Sequence, residues 1–209
     1  LQITLNLLVG FLGSFIPFDF ENHDSPLLNC CLSFYGKLIS CFTKSKYTHS
    51  AMIVKNPPWR PDLKGYFVLQ SSYESFPDAE NNEYKLGVEI VSLTKLFNTY
   101  EGKIFWRHIT CQRDKQFYKK FAEAHSVVHN RPYDTNIIDW IKAAFQIKVG
   151  NIHKLNEFWC SALVAYVYTK LGFFDEKTDW TLISPVMLSQ DSNNPKFQNC
   201  FVSEELQVL

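Results

Sequence analysis

The stretch Phe158-Trp159-Cys160-Ser161-Ala162-Leu163-Val164-Ala165-Tyr166 puts a cysteine at the head of an apolar run. Leu163, Val164, Val167 and Leu171 follow Cys160 at i+3, i+4, i+7 and i+11, the spacing of one face of an α-helix. Asn156 is the expected N-cap and Gly172 the expected C′ residue. Cys160 then lies in the first turns, close to unpaired backbone N–H groups and the positive end of the helix dipole. Both favour thiolate over thiol. A cysteine on such a helix can also serve as a small buried hydrophobe, so the decision falls to the rest of the chain.

The composition narrows the classes. With 209 residues, 46% of them apolar, the chain can bury the core of one domain. Eighteen Phe, ten Tyr and five Trp supply rings that fill cores and line apolar pockets. Lys and Arg total 21 and Asp and Glu total 21, and no long basic stripe breaks this balance. Nucleic acid is therefore not the expected partner; a neutral or partly apolar substrate fits better. None of the six cysteines (30, 31, 41, 111, 160 and 200) forms a C-x-x-C pair, which argues against a zinc ribbon. Scattered cysteines in a chain that needs no disulfides suggest a reducing, cytoplasmic compartment.

Leu1 to Phe18 carries no charge but lacks the basic start and small-residue cleavage site of a signal peptide. Gln2, Thr4, Asn6 and Ser14 dilute it relative to the ~20 apolar residues of a membrane span. The expected reading is a helix or turn docking through Gly10 and Gly13 into a first strand, Ser14 to Phe18. Residues 1–12 would then be an N-terminal extension of one domain covering 1–209. Peripheral contact with a membrane surface is compatible with this apolar start.

Leu27 to Phe42 has helical spacing, with Cys31 on its core face. Strands follow at Thr48–Val54, Tyr66–Ser71, Gly87–Val91 and Lys103–Ile109, separated by the Asn56–Pro61 loop, the polar Phe76–Leu86 loop and a helical turn at Leu93–Tyr100. Beyond them the pattern turns helical. Asp114 can cap a helix whose core face is Phe117, Phe121, Ala124, His125 and Val128, and Arg131-Pro132-Tyr133-Asp134 breaks it. Ile137, Ile138, Ile141, Ala144 and Phe145 mark another helix before that of Cys160. The end is irregular, with a last strand near Phe197 to Val202. The fold class is α+β, a single domain with an antiparallel curled sheet packed against helices.

A thiol nucleophile needs a base in reach and a group that orients the base. Of the histidines, His49 opens a strand directly after a turn, where a side chain can face a cleft. His23 and His153 fall in loops, and His108 lies in a strand. His125 and His129 are four apart on one helix, but Ser126 stands where the H-E-x-x-H motif has its glutamate, and no obvious third ligand follows. No metal or other cofactor is expected; this pair reads as helix-face histidines.

Tyr47-Thr48-His49-Ser50-Ala51-Met52-Ile53-Val54, Val68-Leu69-Gln70-Ser71, Gly87-Val88, Pro132-Tyr133-Asp134, Trp159-Cys160-Ser161-x-Leu163-Val164 and Ser184-Pro185 occur in that order. Together they resemble the circularly permuted papain-like (NlpC-type) cysteine hydrolases, a group that includes YiiX-like, lecithin:retinol acyltransferase-like and poxvirus proteins. The likeness runs from about Gly13 to Phe201 and is closest to the YiiX-like and poxvirus branch. It implies a histidine on an early strand and a cysteine on a late helix, the reverse of the papain order with the same geometry. Position by position, Cys160 matches the nucleophile, His49 the base and Gln70 the third polar residue. Two positions depart from the pattern: relatives usually carry glutamate at the place of Gln70, and often at that of Ala162.

The resemblance implies a cysteine hydrolase or acyltransferase that works on amide or ester bonds through an acyl-thioester, with a small-molecule, lipid or peptide acyl substrate. An amide at Gln70 can still accept from an imidazole N–H, but it stabilises the imidazolium less than a carboxylate. The competing expectation is a catalytically inactive family member that binds lipid or protein. Tyr133 and Asp134 are expected to close a turn, and Trp159 either to wall the pocket or to pack.

Overall fold

The computed structural model describes residues 5–11, 47–73, 76–100, 103–136 and 155–209. The expected strand at Ser14–Phe18 and the expected helices at 27–42 and 137–145 lie outside these. In chain order the elements are β1 (Leu5–Phe11), β2 (His49–Lys55), β3 (Tyr66–Tyr73), β4 (Leu86–Ser92), α1 (Leu93–Thr99), β5 (Lys103–Cys111), α2 (Lys115–Val128), α3 (Cys160–Leu171), β6 (Cys200–Val202) and β7 (Leu206–Gln207). The sheet runs β4-β3-β2-β1-β5-β6, with β7 also on β5, and every described pair is antiparallel. The α+β class and its antiparallel sheet match the sequence expectation.

The start of the chain does not. Leu5–Phe11 is a strand, not a helix or turn, and it lies between β2 and β5. It is hydrogen-bonded into the sheet on both sides. A short uncharged run of Leu and Val suits a strand paired on both sides, and periodicity alone does not separate that from a helix.

The sheet has two apolar faces. On one side Met52, Val54, Leu69 and Val88 pack with α2 and α3 into the main core. On the other, Ala51, Ile53, Val68, Val91 and Ile104 close against Leu96 of the short α1. Successive side chains of β2 alternate between the two clusters, as the two-residue period of a strand requires. Both faces being covered explains why β2 and β4 read as nearly continuous apolar runs.

Helix α2 starts where Asp114 accepts from the Phe117 backbone N–H, at 2.8 Å, and its buried residues are the five expected. Helix α3 is enclosed on nearly all sides: ten of its twelve residues are buried. Gly172, at φ 77°, ends it in the left-handed conformation that favours glycine. Its start differs from expectation. Trp159, not Asn156, is the N-cap, and no side chain caps the first turn. Cys160 is thus the first helical residue, one turn closer to the open N–H groups than an Asn156 cap would have put it.

Candidate active site at the start of the cysteine helix

The segment leading into Cys160 is tied down from two sides. Ser71 Oγ donates to the Phe158 carbonyl at 2.5 Å, the Asp134 N–H reaches the same carbonyl at 3.3 Å, and the Phe158 N–H donates to the Pro132 carbonyl at 3.0 Å. Inside the helix, Ser161 Oγ donates to the Ile183 carbonyl at 2.6 Å, and Trp159 Nε1 points at the same oxygen from 3.5 Å. Trp159 is buried and therefore packs. Ala162 is buried too, where a glutamate would place a carboxylate in the core.

Segment 131–134 is in turn joined to the edge strand. The Val88 N–H donates to the Arg131 carbonyl at 2.8 Å, and Gly87 bridges Pro132. A Cβ at Gly87 would run into the Arg131 carbonyl and lie 2.9 Å from Pro132 Cα, so only glycine lets the two backbones approach this closely.

The structure brings the three residues singled out in the sequence together. Cys160 is 2% exposed at the head of α3, and His49 is the first residue of β2. His49 is hydrogen-bonded to the Cys160 side chain. Its other side, Nε2, lies 3.0 Å from Gln70 Oε1 on the neighbouring β3. A carbonyl oxygen only accepts, so Nε2 carries the proton and Nδ1 faces the sulfur.

Burial works against a thiolate at Cys160. The hydrogen bond from His49 and its charge outweigh burial, and the Ser50 and Ser161 backbone N–H groups add to them, so the thiol is held below its ordinary range.

Two further residues belong to the cluster. The Tyr133 hydroxyl is hydrogen-bonded to Cys160, and burial together with the Cys160 and Asp134 charges keeps it protonated well above the ordinary tyrosine range. Tyr133 therefore does more than close a turn, while Asp134 accepts from the Asn136 N–H at 2.9 Å, a local bond of that turn. On β4, Glu89 stands directly across from Gln70 in the strand register, and Gln70 Nε2 donates to Glu89 Oε1 at 3.2 Å. Gln70 and Glu89 are each 1% exposed. Nothing local marks Glu89 in the sequence; only the β3–β4 register does.

A second polar cluster lies on α2. His125 is stacked on Trp59 at 3.8 Å and pairs with Glu80 Oε2 at 2.9 Å; His129 is 3.7 Å from the same oxygen. The sequence offered no third ligand for this histidine pair, but the 78–85 loop brings two carboxylates to it. One ligand atom each from Asp78, Glu80 and His129 lie within 4.8 Å of one another. Partners are already in place: Lys85 pairs with Asp78, and His125 is hydrogen-bonded to Glu80. As it stands the cluster is an ion-pair network that fastens the loop to α2. Burial opposes the Glu80 charge, but the His125 bond and the charges of His125 and His129 prevail and lower its pKa.

Among the described residues Cys111, Cys160 and Cys200 are free thiols, and Cys111 faces Cys200 across β5 and β6. Also among the described residues, no helix is long and apolar enough to cross a membrane.

No protein-family model matches the chain, and no curated protein does. Among solved structures it is similar to the metalloprotein yiiX from Escherichia coli O157:H7, at 16% identity and a TM-score of 0.45, over 99% of this chain and 96% of that one.

Proposed function

We propose that the chain is a thiol-dependent hydrolase or acyltransferase of the permuted papain-like kind, with Cys160 as nucleophile, His49 as base and Gln70 as orienting residue. One observation carries this reading: a cysteine at an uncapped helix start touches an imidazole whose far nitrogen is held by a buried amide. The Cys160 thiolate attacks the carbonyl carbon of an amide or ester. The resulting oxyanion takes hydrogen bonds from the open N–H groups at the head of α3 and from the Tyr133 hydroxyl.

Collapse of the tetrahedral adduct breaks the bond to the leaving amine or alcohol, which takes its proton from His49 Nδ1. The acyl group remains on sulfur as a thioester. Water or an acceptor nucleophile then gives its proton to His49 and attacks the thioester, releasing the product and the thiolate. The substrate class is an acyl amide or ester, and the abundance of aromatic residues favours a lipid chain over a polar peptide. A reducing compartment suits free thiols at this site.

The deciding experiment is labelling by a thiol-reactive acyl probe, combined with profiling of acyl-chain and amide substrates. Wild type should be labelled and turn over one substrate class, and Cys160→Ala should do neither. Labelling that persists in Cys160→Ala sinks the assignment. The competing reading, a quiet lipid- or protein-binding module, draws on Gln70 standing where a carboxylate is usual. It predicts that iodoacetamide reacts with Cys160 only as with an ordinary thiol, near pKa ~8.5.

A further inference from the structure

An amide at position 70 leaves a specific problem. Glutamine presents two ends, and an imidazole can bond with either. If Oε1 faces His49, Nε2 of the ring carries a proton and Nδ1 is free to take the proton of the thiol. If the amide NH₂ faces His49 instead, the ring must accept at Nε2 and carry its proton on Nδ1, against the sulfur. That tautomer cannot deprotonate Cys160, and the NH₂ group repels the imidazolium of the ion pair. Gln70 therefore supports a thiolate in only one of its two orientations.

The β3–β4 pairing selects that orientation. Glu89 is directly opposite Gln70 in register, so the two side chains share one face of the sheet. Glu89 Oε1 takes the Gln70 Nε2 donor at 3.2 Å, the role a carboxylate oxygen fills and an amide NH₂ cannot. Oε1 of the amide is then turned to His49, 3.0 Å from Nε2. Burial of both residues shuts out the water that could otherwise satisfy the reversed amide.

We infer that Glu89 is a positioning residue for His49, acting through Gln70. The chain of contacts is Cys160–His49–Gln70–Glu89, with the amide as a polarisable spacer between imidazole and carboxylate. It rests on the reading of Cys160 and His49 as a reactive pair.

The test follows the pH dependence of iodoacetamide alkylation at Cys160 in the full chain, located by peptide mass mapping, for wild type, Glu89→Gln and the exchanged double variant Gln70→Glu/Glu89→Gln. Wild type should show a midpoint below the free-thiol value. Glu89→Gln lets the amide turn either way, so its midpoint should rise by about one unit and alkylation near pH ~6 should fall about tenfold. The exchanged variant places the carboxylate directly on His49 with an amide behind it, and should recover the wild-type midpoint. A purely structural role for Glu89 would not be rescued by the exchange. An unshifted midpoint in Glu89→Gln, or an exchanged variant as impaired as the single one, overturns the inference while leaving the Cys160–His49 pair intact. An ordinary midpoint in wild type overturns the pair, and Glu89's role with it.

Discussion

At Cys160 two opposite effects meet. Burial disfavours the charged sulfur, while His49 and two backbone N–H groups favour it and prevail, and the Tyr133 hydroxyl is hydrogen-bonded to the same sulfur. Tyr133→Phe isolates one of these contributions, because it removes only the hydroxyl. We expect the fold to persist, the Cys160 alkylation midpoint to move up, and acyl transfer to fall about 10²-fold in kcat with little change in KM, the magnitude of losing one donor to a developing oxyanion. Stopped-flow or steady-state kinetics on the substrate found by profiling would check this. An unchanged kcat would remove Tyr133 from the site. His49 illustrates the same scale from the other side: its usefulness depends on which nitrogen carries the proton, and that is decided by Gln70 rather than by the histidine itself.

Among the elements, α3 and the edge strand β4 matter most to the site. Helix α3 supplies the thiol and an uncapped N-terminus, and its burial on nearly every side keeps the thiol in place. Strand β4 is tied to segment 131–134, and thereby to Tyr133 and the Phe158 carbonyl, through the Gly87–Pro132 approach. Gly87→Ala would force two backbones apart, and neither can yield as a flexible side chain could. We expect a loss of about 1–3 kcal/mol in urea unfolding, the usual cost of overpacking, with an upward shift of the Cys160 alkylation midpoint as Tyr133 moves off the sulfur. Loss of stability with unaltered thiol reactivity would separate β4 from the site.

On the scale of the whole molecule, contacts distant in sequence close the fold around the sheet. Tyr47 donates to Glu205 at 2.6 Å, and Arg107 Nε donates to the Ser203 carbonyl at 3.0 Å, so the chain's end is bound beside the strands it follows. The 78–85 loop is held to α2 by Glu80 with His125 and His129. Because Glu80's pKa is lowered by folding, its stabilisation is complete above its ordinary value of 4.5 and is lost as pH falls through the lower folded value. Glu80→Gln should therefore lower Tm at pH 7 by an amount worth about 1–3 kcal/mol. The difference from wild type should shrink steadily below about pH 4.5 in calorimetric scans. A gap that stays constant down to pH ~2 would show that Glu80's charge contributes nothing.

The parts of this protein legible from sequence are those set by local rules. The helical period of Cys160–Leu171, the Asp114 cap and the short apolar runs of the strands between turn signals follow from the geometry of one element at a time. Cys160, His49 and Gln70 came from short motifs in a particular order, and their roles remain a proposal that the geometry supports. The remainder depended on pairing. Leu5–Phe11 carries no period that separates a paired strand from a helix, so its place beside β2 and β5 is a property of the sheet. Asp78 and Glu80 lie 45 to 51 residues before the histidines they meet on α2. Glu89 becomes relevant only through a register that sets it opposite Gln70. At the cysteine helix, the sequence by itself determined a thiol at a helix start. Tertiary structure decided which residues reach that thiol, because hydrogen bonds act over about 3 Å of space however far apart the partners lie along the chain.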